Sequence, residues 1–194
     1  MNKVLRSSPR AARLLRAVVM VSVLALGVTA CSGDAEPDAS DSSTAEADAK
    51  QAQTALDAGL EAHAAGDLTK AAELYNTTLE YDATNQYAFY NLALIDEADG
   101  NYGLAEANYR SALEADPEYG PALFNLAIIR TANDDPEEAI SLYERAVAVD
   151  KKDAAAWLNL GLLMRKNGQE RAGDENVLRA IALDPSLKDP AASE

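Results

Sequence analysis

Residues 90–117 read YNLALIDEADGNYGLAEANYRSALEADP, and the chain repeats the pattern of this segment twice more. Residues 124–151 read FNLAIIRTANDDPEEAISLYERAVAVDK, and residues 158–185 read LNLGLLMRKNGQERAGDENVLRAIALDP. The three copies begin at one constant interval, and an aspartate recurs at the same interval, at positions 82, 116, 150 and 184. A fixed period of about 34 residues indicates small structural units that stack along one axis.

Within each copy, apolar residues recur at helical spacing on both sides of a short polar turn, which predicts two helices per unit. Helices that cross closely need small residues at their contact. Such residues recur with the period of the repeat, as Gly59, Ala93, Ala127 and Gly161 in the first helix and as Ala71, Ala105, Ala139 and Gly173 in the second. Residues that tolerate a positive φ angle recur in the turns, as Gly66, Gly100, Asp134 and Gly168.

This pattern resembles the tetratricopeptide repeat (TPR) family. The resemblance covers most of the chain and places repeats at 52–85, 86–119, 120–153 and 154–187. It implies an all-α fold, a right-handed α-solenoid of four tandem helix–turn–helix units within a folded domain at 50–187. Residues 188–194 are predicted to form a disordered tail.

Residues 1–30 have the composition of an export signal. Five basic residues and no acidic residue lie within residues 1–16, and residues 17–30 (AVVMVSVLALGVTA) are almost wholly apolar. This order predicts a secretory signal peptide over residues 1–30. An apolar run of 14 residues spans about 21 Å as a helix, less than a hydrocarbon core of ~30 Å, so a membrane-spanning helix is the weaker interpretation.

The sequence Val28-Thr29-Ala30-Cys31 resembles a bacterial lipobox, in which the cysteine is lipidated and becomes the first residue of the mature protein. The resemblance implies a lipid anchor on Cys31, with palmitate-type acyl chains, and an exported protein on the extracytoplasmic side of a membrane. Whether that membrane is an inner or an outer one is left open. The alternative is ordinary cleavage after Ala30, which leaves Cys31, the single cysteine, as a free thiol.

The segment that follows Cys31 contains no large apolar side chain up to residue 49. Residues 31–49 are therefore predicted to be a disordered acidic tether that carries the lipidated cysteine. Beyond residue 30 the chain has 12 basic and 32 acidic residues, a net charge of −20. A body this acidic repels phosphate backbones, so nucleic acid is not an expected partner.

First helices line the inside of a TPR superhelix, and their exposed positions are spaced i, i+4. Here these positions hold one apolar pair per repeat: Leu56 and Leu60, Tyr90 and Leu94, Phe124 and Ile128, Leu158 and Leu162. An exposed apolar stripe predicts a groove that binds a protein or peptide with an apolar segment. The alternatives are that the tether or a second subunit covers the stripe, or that its side chains are more deeply buried.

Beside this stripe lie Asn91, Asn125 and Asn159, with Asp57 in the first repeat. In some TPR proteins a ladder of asparagines at this place binds the backbone of an extended peptide, since an amide both donates and accepts hydrogen bonds. The alternative is that these asparagines bond within the repeat array. Basic residues that grip a peptide carboxylate in related proteins are missing at the corresponding positions, so a carboxylate clamp is not expected.

Catalytic and cofactor motifs are missing from the sequence. His63 is the single histidine, and no glycine-rich phosphate loop, serine elbow or cysteine nucleophile follows the anchor. We therefore expect no catalytic residue, no metal and no cofactor. The leading hypothesis is a membrane-anchored extracytoplasmic scaffold that binds a protein partner in the groove. The second is a self-assembling structural module, a homo-oligomer formed through the groove or the terminal repeat.

Overall fold

The computed structural model describes residues 39–190, with side chains from residue 43 onward. The predicted signal peptide, Cys31 and residues 191–194 lie outside this part of the chain. The described residues form eight helices and no strand: α1 (Ala39–Ala64), α2 (Leu68–Tyr81), α3 (Gln86–Ala98), α4 (Tyr102–Ala115), α5 (Gly120–Ala132), α6 (Pro136–Val149), α7 (Ala154–Lys166) and α8 (Glu170–Leu183).

The helices pack in chain order. Each odd-numbered helix pairs with the even-numbered helix that follows it, and each pair touches the next through α2 on α3, α4 on α5 and α6 on α7. The chain thus forms four helix–turn–helix units in a row, as the period of the sequence predicts. This order of contacts confirms the predicted all-α solenoid.

The core between helices is built from small residues that alternate with tyrosines. Ala93, Ala105, Ala127 and Ala139 are fully buried where paired helices cross. Tyr75 and Tyr109 of the second helices are also fully buried. Tyr75 packs so tightly on Gly59 that a Cβ atom there would lie 2.7 Å from the tyrosine ring. Small side chains on one helix therefore make room for an aromatic ring on its partner.

The turns inside the units confirm the predicted backbone conformation. Gly66, Gly100 and Gly168 have φ angles of 80°, 76° and 77°, and Asp134 takes 58° at the equivalent place. The turns between units use the recurrent aspartates. Each accepts a hydrogen bond from the backbone N–H two residues later, at 3.1, 3.0, 2.8 and 2.9 Å for Asp82, Asp116, Asp150 and Asp184. The first three of these Asx turns redirect the chain into the next helix, and the fourth ends α8.

Two segments differ from the predicted disorder. Residues 39–49 are helical, as the first part of α1. Their Ala-rich sequence favours helix and continues one that packing already stabilises, so no large apolar side chain is needed. At the other end, Asp189 forms a bidentate ion pair with Arg165 of α7, at 2.7 and 2.8 Å. Residues 188–190 therefore fold back onto the last repeat instead of trailing freely.

Candidate functional site

We call the surface formed by the predicted groove positions of α1, α3, α5 and α7 the inner face. Ile128 and Leu60 are its most exposed apolar side chains, at 41% and 44%. The other members are half-buried, namely Tyr90, Asn91, Leu94, Phe124, Asn125, Leu158, Asn159 and Leu162. The stripe is thus continuous in sequence register but uneven in exposure.

Leu56 does not belong to the exposed stripe. Only 5% of Leu56 is accessible, and it packs in a cluster with Ala71, Tyr75 and Ala88. The predicted groove position is wrong here because the second repeat covers this leucine. Leu158, its counterpart in the last repeat, has no following repeat within the described residues and stays partly accessible.

A cleft of about 480 Å³ opens on the inner face between the third and fourth repeats. Ile128 and Leu162, both predicted groove residues, form its apolar walls together with Leu163. Tyr143 of α6 lies at the cleft, and Lys166 is the one charged residue that lines it. The volume suits a few apolar side chains of a partner.

Two polar side chains of the cleft lie beside the buried hydroxyl of Tyr143. Burial raises the pKa of Tyr143 above its ordinary value, and Thr131 and Asn159, as hydrogen-bonding neighbours, oppose that rise. The Thr131 hydroxyl donates to the Ala127 carbonyl of its own helix at 2.8 Å. Asn159 thus lies beside Tyr143 and also lines the cleft, whose walls are mainly apolar.

Asn125 and Asn91 form hydrogen bonds within the repeat array, which is the alternative to peptide binding by the asparagine ladder. The Asn125 amide donates to the Tyr109 hydroxyl at 3.1 Å and to the Tyr90 hydroxyl at 3.4 Å. The Asn91 amide donates to the Tyr87 carbonyl of its own helix at 2.7 Å. These amides thus bond within the repeat array, and the ladder contributes to its packing.

The partners of these asparagines were not identified from the sequence. A second-helix tyrosine recurs as Tyr75, Tyr109 and Tyr143, and its hydroxyl contacts the first-helix residue twelve positions earlier, which is His63, Glu97 or Thr131. The Tyr109 hydroxyl donates to Glu97. Burial is the larger cause, and the Glu97 carboxylate the smaller one, of a pKa of Tyr109 far above its ordinary value. The period of the tyrosines carried the signal, but the partner residue changes in each repeat.

Aromatic rings underlie the central part of the inner face. Phe124 packs against Tyr143 with ring centroids 5.8 Å apart, and Tyr90 packs against Tyr109 at the same distance. Each pair joins a first helix to a second helix. These two groove residues therefore stabilise the array as well as lining its surface.

Within residues 39–190, no helix is long and apolar enough to cross a membrane. The same residues contain no group of three or more histidine, cysteine, aspartate or glutamate side chains placed to hold a metal ion.

Comparison with known proteins shows which family has this architecture. The family model described as the cilia and flagella-associated protein 70 middle TPR-like domain matches residues 55–183. The crystal structure of MamA matches with a TM-score of 0.62 at 18% identity, covering 79% of this chain and 87% of that chain. PilF of Pseudomonas aeruginosa matches with a TM-score of 0.62 at 20% identity, covering 73% of this chain and 64% of that chain.

A tetratricopeptide repeat protein from Parabacteroides merdae also has a TM-score of 0.62, at 18% identity, over 71% of this chain and 55% of that chain. No curated protein matches the sequence. At these identities the likeness to solved structures shows the fold alone. Together with the family model, it confirms the predicted TPR architecture.

Proposed function

The chain belongs to the TPR-like family described as the cilia and flagella-associated protein 70 middle TPR-like domain, and on this premise we propose that it is a scaffold that holds a partner protein on its inner face. The TPR fold is a scaffold for protein–protein interaction. The specific proposal is that an apolar segment of the partner enters the cleft between the third and fourth repeats, and that the chain acts by binding and not by catalysis.

The cleft carries this proposal. Ile128 is 41% exposed although it is an aliphatic residue surrounded by apolar walls. Exposed apolar surface is unfavourable in water, and each Å² of it that a partner covers stabilises the complex by about 25 cal/mol. The Thr131 hydroxyl already donates to the Ala127 carbonyl at 2.8 Å, so an apolar ligand leaves this donor satisfied.

Membrane attachment is part of the proposal and rests on the sequence. Cys31 follows a basic segment and an apolar run, in the arrangement of a lipidated cysteine. Two or three acyl chains would hold the protein stably, whereas one chain binds only marginally. The scaffold would then present its inner face on the extracytoplasmic side of a membrane.

Site-specific photo-crosslinking in the native cell tests the binding site. A crosslinking amino acid at position 128 is expected to give a discrete product with a partner protein. Leu178 of α8 is the matched control position because it is 65% exposed and lies away from the cleft. Leu162→Asp is expected to abolish the product from position 128 without changing the circular dichroism spectrum.

The mass of the product separates the two functional hypotheses. A product of a different protein supports the scaffold, whereas a product of two copies of this chain supports the self-assembling module. Equal products from positions 128 and 178, or no product from position 128, would refute binding in the cleft.

The anchor is tested separately with Cys31→Ser. We expect the unaltered protein to incorporate a palmitate analogue and to sediment with membranes, and the variant to do neither. An unmodified Cys31 in the mature protein, seen by mass spectrometry, would remove the anchor from the proposal and leave the cleft unaffected.

A further inference from the structure

Three tyrosines meet at the boundary between the second and third repeats. Tyr119, which precedes α5, packs edge-to-face on Tyr90 with centroids 5.3 Å apart and an interplanar angle of 85°. It packs in the same way on Tyr87, at 5.6 Å and 88°. We call these residues the tyrosine cluster. Two rings at right angles form a corner in which a single group can touch both faces.

The tyrosine cluster is accessible from solvent. Tyr87 is 46% exposed, and Tyr90 and Tyr119 are half-buried. Tyr90 is also a predicted groove residue, so the cluster borders the inner face. A solvent-facing corner of aromatic rings attracts cations, because the face of an aromatic ring carries negative charge density.

The charge of the surrounding chain also favours a cation. Residues 31–144 contain 24 acidic and four basic residues, whereas residues 145–194 contain eight of each. Asp116 lies close enough to Tyr119 to act on its hydroxyl electrostatically. The tyrosine cluster therefore lies in the strongly acidic part of the chain. The cleft is formed partly by residues of the segment in which acidic and basic residues balance.

The basic side chain that reaches the turn before Tyr119 is engaged there, because Arg145 donates to the Pro117 carbonyl at 2.7 Å. The other two arginines of the second and third repeats form ion pairs. Arg130 pairs with Glu106 at 3.1 Å and with Asp135 at 2.6 Å. Arg110 pairs with Glu138 at 2.7 Å. Within the described residues, the cation–aromatic contact that the chain makes is Arg179 over Trp157, 4.2 Å from the ring. Among those same residues, no cationic side chain occupies the tyrosine cluster.

We propose that the tyrosine cluster binds a cationic side chain, arginine above all, of the partner segment whose apolar part enters the cleft. Arginine fits because its planar guanidinium stacks on aromatic rings and sheds water more readily than an ammonium group. This inference rests on the proposed function, since it assigns a second contact to the same partner. The partner segment then combines a basic residue with apolar residues.

The test uses a defined probe and not the unidentified partner. Acetyl-Gly-Arg-Gly-amide is titrated into the full chain with 13C-labelled tyrosine, and the tyrosine ring signals are followed by NMR. The neutral control replaces arginine with citrulline, which has nearly the same shape. We expect saturable shifts of Tyr87 and Tyr119 with the arginine peptide and markedly smaller ones with the citrulline peptide. Added salt is expected to weaken the arginine binding.

Matched variants locate the site. Tyr87→Leu removes one ring and is expected to weaken arginine binding about two- to five-fold. Tyr87→Phe keeps the ring and is expected to retain binding. Tyr102→Leu, at a tyrosine that is 58% exposed and outside the cluster, is expected to change nothing.

Equal binding of the citrulline peptide overturns the proposal, and so does unchanged arginine binding by a folded Tyr87→Leu chain. Failure here is distinguishable from failure of the proposed function. Leu162→Asp in the cleft is expected to leave arginine binding intact. If the crosslink from position 128 persists while the tyrosines ignore arginine, only the cation site is refuted.

Discussion

At Gly161 of α7 and Gly173 of α8, two helix backbones approach so closely that neither position has room for a side chain. A Cβ atom on Gly161 would lie 2.7 Å from the Gly173 carbonyl oxygen, and one on Gly173 would lie 2.6 Å from the Gly161 carbonyl oxygen. Backbone atoms cannot move aside as a flexible side chain can. We therefore predict that Gly161→Ala lowers the free energy of unfolding by about 1–3 kcal/mol, measured by urea denaturation.

Gly103 of α4 is the control for this prediction because a Cβ atom there meets nothing within 4 Å. Gly103→Ala is expected to be neutral or to stabilise the protein by up to about 1 kcal/mol, since alanine favours helix. Equal effects of the two substitutions would show that close backbone approach is not what requires glycine at position 161.

Asp134 is the one turn residue inside a unit that is not glycine, and its φ angle of 58° strains an ordinary side chain. Its ion pair with Lys166, at 3.7 Å, is highly exposed and contributes little. We predict that Asp134→Gly stabilises the protein by about 1 kcal/mol in urea denaturation. The reverse change, Gly100→Asp, is expected to destabilise it by a similar amount, and a gain from both changes would contradict this explanation.

At the scale of elements, the last helix pair is held by the segment that follows it. Arg165 binds Asp174 through Nε at 2.7 Å and Asp189 through both terminal nitrogens. Arg165 and Asp189 are about four-fifths buried. We predict that Asp189→Asn destabilises the protein by about 1 kcal/mol and speeds hydrogen exchange at the end of α7.

The control is the pair Arg171–Glu175, which spans 3.3 Å but is mostly exposed at both side chains. Glu175→Gln is expected to change stability by less than about 0.5 kcal/mol, because solvent screens such a pair. If hydrogen exchange in α7 is the same in both variants, Asp189 does not hold the last pair.

The eight helices were predictable from sequence because each repeat has the same pattern, and residues that tolerate a positive φ angle mark the turns at a fixed interval. The start of α1 was not predictable in this way. A segment without large apolar residues is expected to be disordered, but a helix that packing already stabilises can extend into it. The contact of Asp189 with Arg165 was not predictable either, because it joins residues 24 positions apart, and neither residue recurs at the interval of the repeat.

Across the whole molecule, the accessibility of the predicted groove residues was only partly predictable from the sequence. Ile128 and Leu162 line the cleft as the spacing indicates. The burial of Leu56 depends on residues of the next repeat that cover it. The hydrogen bonds of Asn125 depend on tyrosine hydroxyls of two other helices. Such contacts across repeats change with every neighbouring side chain, so a period alone does not predict them.

Because of the tyrosines in the array, the stability of the folded protein depends on pH in the alkaline range. Burial raises the pKa of Tyr75, Tyr90, Tyr109 and Tyr143, and burial with nearby Tyr90, Tyr87 and Asp116 raises the pKa of Tyr119 to about 12. An unfolded tyrosine loses its proton near pH 10. The folded state therefore holds protons that the unfolded state releases. This stabilisation is complete below pH 10 and is lost as the pH rises toward 12.

We accordingly predict that the urea midpoint is level from pH 8 to about 10 and falls steeply above it, alongside the rise of tyrosinate absorbance at 295 nm. Tyr119→Phe keeps the ring but removes the proton, so the fall between pH 10 and 12 is expected to be shallower in this variant. A midpoint that stays level to pH 12, or the same slope in the variant, would mean that these hydroxyls are not shielded by the packing between repeats.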